Sequence, residues 1–180
     1  MSTSQKLGSL LLVLVLAACG AEPPEEAAPD APPATDELPA FPEWVDAVRP
    51  PSGSGVDALV ARFGEPEGRT AEPTPNRHDA SRTDTVLTLD FDGVRAGVYA
   101  VTGGDSLVQW VVVEAPGRLG ASVIDVGTPW ATVVDAFGPP DGSDDGRPFY
   151  RLQNGPVEEP ASFEVADDVV QWIRFGYYVD

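Results

Sequence analysis

Two stretches of the chain decide the predicted fold: SGVDALVARFGEP at residues 54–66 and TPWATVVDAFGPP at residues 128–140. They align without gaps and share apolar residues at positions i, i+3, i+4 and i+7, namely Val56, Leu59, Val60 and Phe63, and Trp130, Val133, Val134 and Phe137. This spacing places four side chains on one face of an amphipathic helix. A Ser or Thr precedes each helix as a predicted N-cap, and a glycine and then a proline follow it. The sequence therefore predicts two short helices, each opening one copy of a repeat.

A second match extends the repeats beyond the helices. The stretch LVQWV at 107–111 matches VVQWI at 169–173, and a turn dipeptide, DG at 92–93 or NG at 154–155, precedes each at the same distance. Such dipeptides are strong signals for a β-hairpin. We place strands near residues 85–91, 94–102 and 106–114, and near 147–153, 161–166 and 169–179. The predicted fold class is α+β: two tandem helix-plus-three-strand units, about residues 52–116 and 124–180, whose antiparallel sheet carries both helices on one face.

The segments before the repeats differ in composition. Residues 41–48 (FPEWVDAV) predict a short helical turn that ends before the two prolines at 50–51, with Trp44 packed on the core. Residues 41–180 are therefore the predicted globular domain. Residues 19–40 are rich in Pro, Ala and acidic residues, and such a segment buries too little apolar surface to fold. It is predicted to be a disordered tether.

The N-terminus carries an export signal. The stretch LAAC at residues 16–19 follows one positive charge, Lys6, and an apolar run that is too short to span a bilayer. The pattern resembles the lipobox of bacterial lipoproteins, which implies a signal peptide at residues 1–18 and acylation of Cys19. Membrane lipid is then one partner, reached through the acylated Cys19. The alternative is an ordinary signal peptide followed by a free or buried thiol. Because Gly20 is no acidic retention signal, we expect the outer membrane, facing the periplasm, if the cell has one.

The charge of the chain excludes one class of partner. Eleven basic residues stand against 29 acidic ones, for a formal net charge of −18, and every basic residue except Lys6 is arginine. Such a chain repels the phosphates of nucleic acid, so we expect no nucleic-acid partner. It also disfavours contact with anionic lipid headgroups. Two explanations of the acidity remain open: solubility, including adaptation to a salty medium, or a cationic partner.

The residues that carry chemistry are few. His78 is the one histidine and falls in a predicted solvated loop, and the single cysteine is assigned to lipid. A hydrolytic triad and a Cys/His zinc site are therefore not predicted. We expect no enzymatic activity and no cofactor. Paired carboxylates remain open as hydrolytic groups because acidic residues are abundant.

One acidic loop has part of a calcium-binding pattern. Residues 141–146 (DGSDDG) place potential ligands at positions 1, 3 and 5 and a glycine at position 6. Position 12 is Leu152, where such a loop needs a bidentate glutamate. The pattern leaves two interpretations, a polar helix-to-strand turn between Asp141 and Asp145 or a calcium site at these residues.

Alternation along the last strands predicts a binding surface. We assign one set of side chains to the face that the helices cover: Leu107, Gln109, Val111, Val113, Val169, Gln171, Ile173 and Phe175. The opposite set is Val108, Trp110, Val112, Glu114, Val170, Trp172, Arg174 and Tyr178. Trp, Tyr and Arg are enriched in binding hot spots, so we predict partner-binding roles for Trp110, Trp172, Arg174 and Tyr178. The alternative is that the faces are reversed and both tryptophans are core residues.

Residues 52–180 resemble a known class of module. The sequence Gly127-Thr128, a short helix, Phe137-Gly138-Pro139-Pro140 and then strands is similar to the SmpA/OmlA (BamE-like) outer-membrane assembly lipoproteins. The tandem pair is similar to the β-lactamase-inhibitory-protein architecture. The resemblance implies binding of an envelope or secreted protein, as an assembly or inhibitory module, rather than catalysis. The alternatives are a periplasmic small-ligand or calcium-binding domain, a carboxylate-based hydrolase and a purely structural envelope protein.

Overall fold

The structure, a computed structural model, describes residues 38–50, 55–154 and 157–178. The predictions for the signal peptide, for Cys19 and for most of the tether lie outside the described residues, as does the predicted N-cap Ser54.

Three short helices and eight strands make up the described chain. The helices are α1 (Phe41–Val48), α2 (Gly55–Phe63) and α3 (Trp130–Phe137). The strands are β1 (Gly68–Pro75), β2 (Thr83–Phe91), β3 (Val94–Ala100), β4 (Ser106–Val113), β5 (Gly142–Asp144), β6 (Arg147–Asn154), β7 (Val157–Ala166) and β8 (Val169–Gly176). All eight belong to one antiparallel sheet with the order β1-β2-β3-β4-β8-β7-β6-β5. Among the described residues no helix is long and apolar enough to cross a membrane.

The predicted α+β fold of two helix-plus-three-strand units is wrong. The described chain is mostly one eight-stranded antiparallel sheet with three short helices, and four strands follow each of α2 and α3. The missed strands, β1 and β5, are the two edges of the sheet. Strand β1 (GRTAEPTP) is largely exposed and contains Pro73 and Pro75, and prolines are tolerated at a sheet edge. An edge strand of this composition has neither the alternation nor the apolar side chains by which a strand is recognised.

The three predicted helices, one at 41–48 and one in each of the stretches 54–66 and 128–140, are present as α1, α2 and α3. Gly64 and Gly138 directly follow α2 and α3, and their φ values of 87° and 81° lie in the positive region that favours glycine. The predicted N-cap role of Thr128 is wrong. Its hydroxyl accepts the backbone N–H of Asp125 at 2.9 Å, and no side chain caps the start of α3.

The hydrophobic core lies between the helices and one face of the sheet, and its two halves differ. Under α2 it is mainly aliphatic: Leu59 belongs to the same buried cluster as Leu, Val and Ala side chains of β2, β3 and β4. Under α1 and α3 it is aromatic, and Phe163 is central. The ring of Phe163 lies 5.8–6.0 Å from the rings of Trp44, Trp130 and Tyr150. Helix α1 thus fills the second half of the core, and the prediction that Trp44 packs on the core is confirmed.

Two buried tyrosines make stability sensitive to alkaline pH. Burial raises the pKa of Tyr150 to about 12. Burial also raises the pKa of Tyr177, whose hydroxyl donates to the Pro50 carbonyl at 2.6 Å. Because both folded-state values exceed the unfolded value of about 10, their contribution is complete below about pH 10 and is lost as the pH rises through the folded-state values.

We therefore expect the melting temperature to fall above about pH 10. Tyr177→Phe should make this fall shallower, and Tyr178→Phe, at an exposed neighbour, is the matched control. Thermal melts over an alkaline pH series measure the effect. If the melting temperature falls equally steeply with pH in the two variants, Tyr177 does not cause the loss of stability at alkaline pH.

Candidate functional site

The last strand of each repeat contains a β-bulge at the same place. In the β3–β4 ladder Gly97 is opposite Trp110 and Val98 is opposite Val108, so Gln109 is the extra residue. In the β7–β8 ladder Glu164 is opposite Trp172 and Val165 is opposite Val170, so Gln171 is the extra residue. A bulge shifts the alternation of side chains by one residue. The matching VQW stretches therefore form the same β-bulge in both repeats.

Because of the bulges, the predicted assignment of side chains to the two faces is correct on one side of Gln109 and Gln171 and wrong on the other. After them the prediction holds, because Val111, Val113, Ile173 and Phe175 are buried in the core. Before them it is wrong: Val108 and Val170, placed on the binding face, are each 1% exposed and lie in the core. Leu107 and Val169, placed on the helix side, are only half-buried.

The opposite side of the sheet, which we call the open face, carries no described helix. Its residues alternate with the core residues along each strand and are opposite one another in the ladders. They are Arg95, Gly97 and Tyr99 of β3, Trp110 and Val112 of β4, Trp172 and Arg174 of β8, Ser162 and Glu164 of β7, and Arg147, Phe149 and Arg151 of β6. The prediction that placed both tryptophans away from the helices agrees with this arrangement.

Of the four predicted partner-binding residues, the structure brings three together. Trp110, Trp172 and Arg174 share the open face, and both indoles are half-buried. Tyr178 lies two residues beyond the end of β8 and is 60% exposed, and its backbone N–H donates to Glu159 Oε1 at 3.2 Å. It stands at the end of the sheet and not within the open face.

Arginine–aromatic pairs cross the open face. Arg174 lies over Trp110 at 5.5 Å and Arg147 over Trp172 at 5.6 Å, measured from guanidinium carbon to ring centroid. Two more pairs are Arg151 with Phe149 at 4.8 Å and Arg77 with Tyr99 at 5.1 Å. Cation–π attraction holds such side chains in place, and Trp and Arg are the residues most enriched in binding hot spots. The alternation in the sequence does not identify the β6 residues of these pairs, which are Arg147, Phe149 and Arg151.

Most arginines of the open face are also paired with acids. Arg95 contacts Asp90 at 2.9 Å, Arg147 contacts Glu164 at 2.8 Å and Arg151 contacts Glu158 at 3.4 Å. These side chains are roughly half exposed, so each pair adds little to stability. Their main effect is local charge balance: the open face of this acidic chain is not itself strongly acidic.

A shallow depression of about 490 Å³ adjoins these pairs on the β5–β6–β7 side. Phe149 and Arg151 form one wall, and Glu158, Pro160 and Ser162 form another. Pro160 packs over Gly176, which leaves room for it because glycine has no Cβ. The lining of this depression therefore combines one aromatic ring, that of Phe149, with the charged side chains of Arg151 and Glu158.

A buried carboxylate, missed by sequence reasoning, supports the other end of the open face. Asp84 of β2 accepts hydrogen bonds from the Thr102 backbone N–H at 2.8 Å, the Tyr99 hydroxyl at 2.5 Å and the Asn76 amide at 2.6 Å. The Thr102 N–H, followed by the Tyr99 hydroxyl, lowers the pKa of Asp84. A general acid needs the opposite shift, so Asp84 fits a structural role: it ties the 76–82 turn to the sheet.

The acidic loop at Asp141–Asp145 forms a tight β-hairpin. Asp145 and Gly146, with φ of 48° and 79°, make the turn between β5 and β6. Asp141 accepts the Arg151 backbone N–H at 2.7 Å. In the described parts of the chain, no three His, Cys, Asp or Glu side chains group together as metal ligands. His78 is exposed in the 76–82 turn, as predicted.

The position of Trp110 depends on Gly97 directly opposite. A Cβ at residue 97 would overlap the indole, so Gly97→Ala should displace the ring from the sheet. We expect a loss of about 1–3 kcal/mol in the free energy of unfolding, the usual cost of overpacking. Urea unfolding measures it. In a Trp110→Ala background the same glycine change should cost much less, and equal costs in both backgrounds would contradict this packing.

No family model, no curated protein and no solved structure matches this chain.

Proposed function

We propose that this chain is an exported lipoprotein, anchored by an acylated Cys19, whose domain binds another protein through the open face. The observation that carries the proposal is that Trp110, Trp172 and Arg174 lie together on the side of the sheet opposite the core. Burying one sheet face suffices to build the core. The aromatic residues on the other face lie outside that core and are available to a partner.

The composition of the open face favours a protein partner. Aromatic rings held by arginines lose little conformational freedom on binding, and a mixed rim of Arg and Glu supplies directional hydrogen bonds. The half-buried indoles provide the apolar centre that a stable interface needs. An assembly or inhibitory role, as the lipoprotein resemblance implies, uses such a surface without catalysis.

The anchoring part of the proposal rests on the sequence LAAC at residues 16–19. Fatty-acid labelling in the native host tests it, because Cys19 is the only cysteine of the chain. We expect label in the wild-type protein and none in Cys19→Ser. Unlabelled wild-type protein would contradict the proposed anchor and leave the domain's binding role to be tested separately.

The binding part is tested by crosslinking in the native envelope. The full-length protein and a Trp110→Ala/Trp172→Ala variant are crosslinked, purified and compared by quantitative proteomics. Val123→Ala is the matched control because Val123 is 56% exposed and belongs to the segment that connects β4 to α3, outside the open face. Thermal melts establish that all three proteins are folded.

The proposal predicts a dominant crosslinked protein that the Val123→Ala protein retains and the double tryptophan variant loses. The same crosslinked proteins in all three samples, or none in the wild type, would contradict it.

A further inference from the structure

Arg174 differs from the other arginines of the open face. Arg95, Arg147 and Arg151 each contact a carboxylate, whereas no Asp or Glu of the described chain lies within 4.0 Å of Arg174. Within the same residues its guanidinium contacts the Trp110 ring and makes no hydrogen bond. Arg174 is exposed and belongs to β8, one of the two central strands of the sheet.

We propose that Arg174 is the recognition point for an aspartate or glutamate side chain of the protein partner. This inference rests on the proposed function and names the chemistry that the open face selects. A guanidinium held over an indole by cation–π attraction keeps its N–H groups free, so it can donate two parallel hydrogen bonds to one carboxylate.

The neighbours of Arg174 leave room for such a group. Val112 of β4 and Ser162 of β7 are directly opposite it on its two sides, and both side chains are short. Because Trp110 already restrains the guanidinium, binding costs less side-chain entropy than it would at an unsupported surface arginine. The partner's acidic side chain would lie between Trp110 and the depression lined by Phe149.

The local charges favour one carboxylate over a polyanion. The paired arginines around Arg174 are already neutralised, and the chain as a whole carries a net charge of −18. A strongly acidic partner would be repelled at long range. An apolar segment with one Asp or Glu avoids this repulsion and supplies both an apolar contact for the indoles and a carboxylate for Arg174.

A random-peptide display library, selected on the full-length protein in detergent, provides the probe. We expect the enriched peptides to share an Asp or Glu beside apolar residues. For a synthetic peptide from this set, Arg174→Gln should weaken binding at least about tenfold, and Arg174→Lys should restore part of it. Arg69→Gln is the matched control. Arg69 is exposed and is paired with the buried Leu89, so its side chain lies on the helix side of the sheet and not on the open face.

A double-mutant cycle assigns the contact. Changing the acidic residue of the peptide to its amide should weaken binding to the wild-type protein but not further weaken binding to Arg174→Gln. Peptides that require Trp110 and Trp172, yet show no acidic preference and bind Arg174→Gln normally, would overturn this inference and leave the proposed function standing. If the peptides bind equally well to variants of Trp110, Trp172 and Arg174, or if no peptide is enriched, both this inference and the proposed function would be contradicted.

Discussion

Replacing Arg49 with methionine is expected to lower the free energy of unfolding by about 3–5 kcal/mol, the usual cost of breaking a buried ion pair from one side. Arg49 Nη1 contacts Glu159 Oε2 at 2.6 Å, and the two side chains are only 15% and 9% exposed. Arg49 also donates to the Gly176 carbonyl at 3.1 Å and stacks on Tyr177 at 4.3 Å. This one side chain therefore ties the end of α1 to the ends of β7 and β8.

The cost arises because the variant buries the Glu159 carboxylate without its arginine. Removing both charges in Arg49→Met/Glu159→Met should therefore recover most of the lost stability. Arg118→Met is the matched control, since its ion pair with Asp92 is on the surface and should contribute less than about 1 kcal/mol. Urea unfolding of the four proteins measures these differences. A double variant no more stable than Arg49→Met would contradict the account.

Replacing Phe163 with alanine is expected to cost about 3–5 kcal/mol, as truncation of a fully buried phenylalanine usually does. Phe163 has no exposed surface and is surrounded by the rings of Trp44, Trp130 and Tyr150. Rigid rings on three sides cannot collapse into the space that the missing ring leaves. The loss should therefore fall in the upper part of this range.

Phe163→Leu separates the cavity from the loss of aromatic contacts. Leucine fills much of the same volume, so we expect it to cost less than half as much as alanine. Urea unfolding measures the free energy of unfolding of each variant. The dependence of this free energy on urea concentration is compared between the variants as well. A loss below about 1.5 kcal/mol for Phe163→Ala would show that the aromatic half of the core repacks freely.

The helices could be predicted from the sequence because their signals are local. In each repeat four apolar residues at helical spacing and a terminal glycine specify the element without reference to any neighbour. The edge strands could not be predicted in this way. Strand β1 exists because β2 pairs with it along its whole length, from Gly68 opposite Asp90 to Pro75 opposite Thr83. Nothing in its own composition indicates this pairing.

The open face could be predicted only in part. Strict alternation correctly separated Trp110 from Val111 and Trp172 from Ile173, but it failed at Val108 and Val170. The reason is that a bulge adds one residue to a strand, and its position depends on the partner strand. The repeated VQW stretch held a clue, since a glutamine between a valine and a tryptophan in both copies marks the bulge in each.

The difference between the aliphatic and the aromatic half of the core could not be predicted from the sequence either. Ala96 is opposite Val111 in the first half of the sheet, and Phe163 is opposite Ile173 in the second. The larger ring in the second half is accommodated together with α1, which precedes both repeats and packs Trp44 against it. The sequence indicated that Trp44 is buried but not in which half.

The most direct test of the central claim is hydroxyl-radical footprinting of the tryptophans. The full-length protein is oxidised in the native envelope and after purification in detergent, and oxidation at each residue is read by mass spectrometry. Trp130, half-buried on the helix side, is the internal reference. We predict that Trp110 and Trp172 react more slowly in the envelope while Trp130 reacts equally in both samples. Equal rates for all three tryptophans would mean that no partner covers the open face, and the account would be wrong.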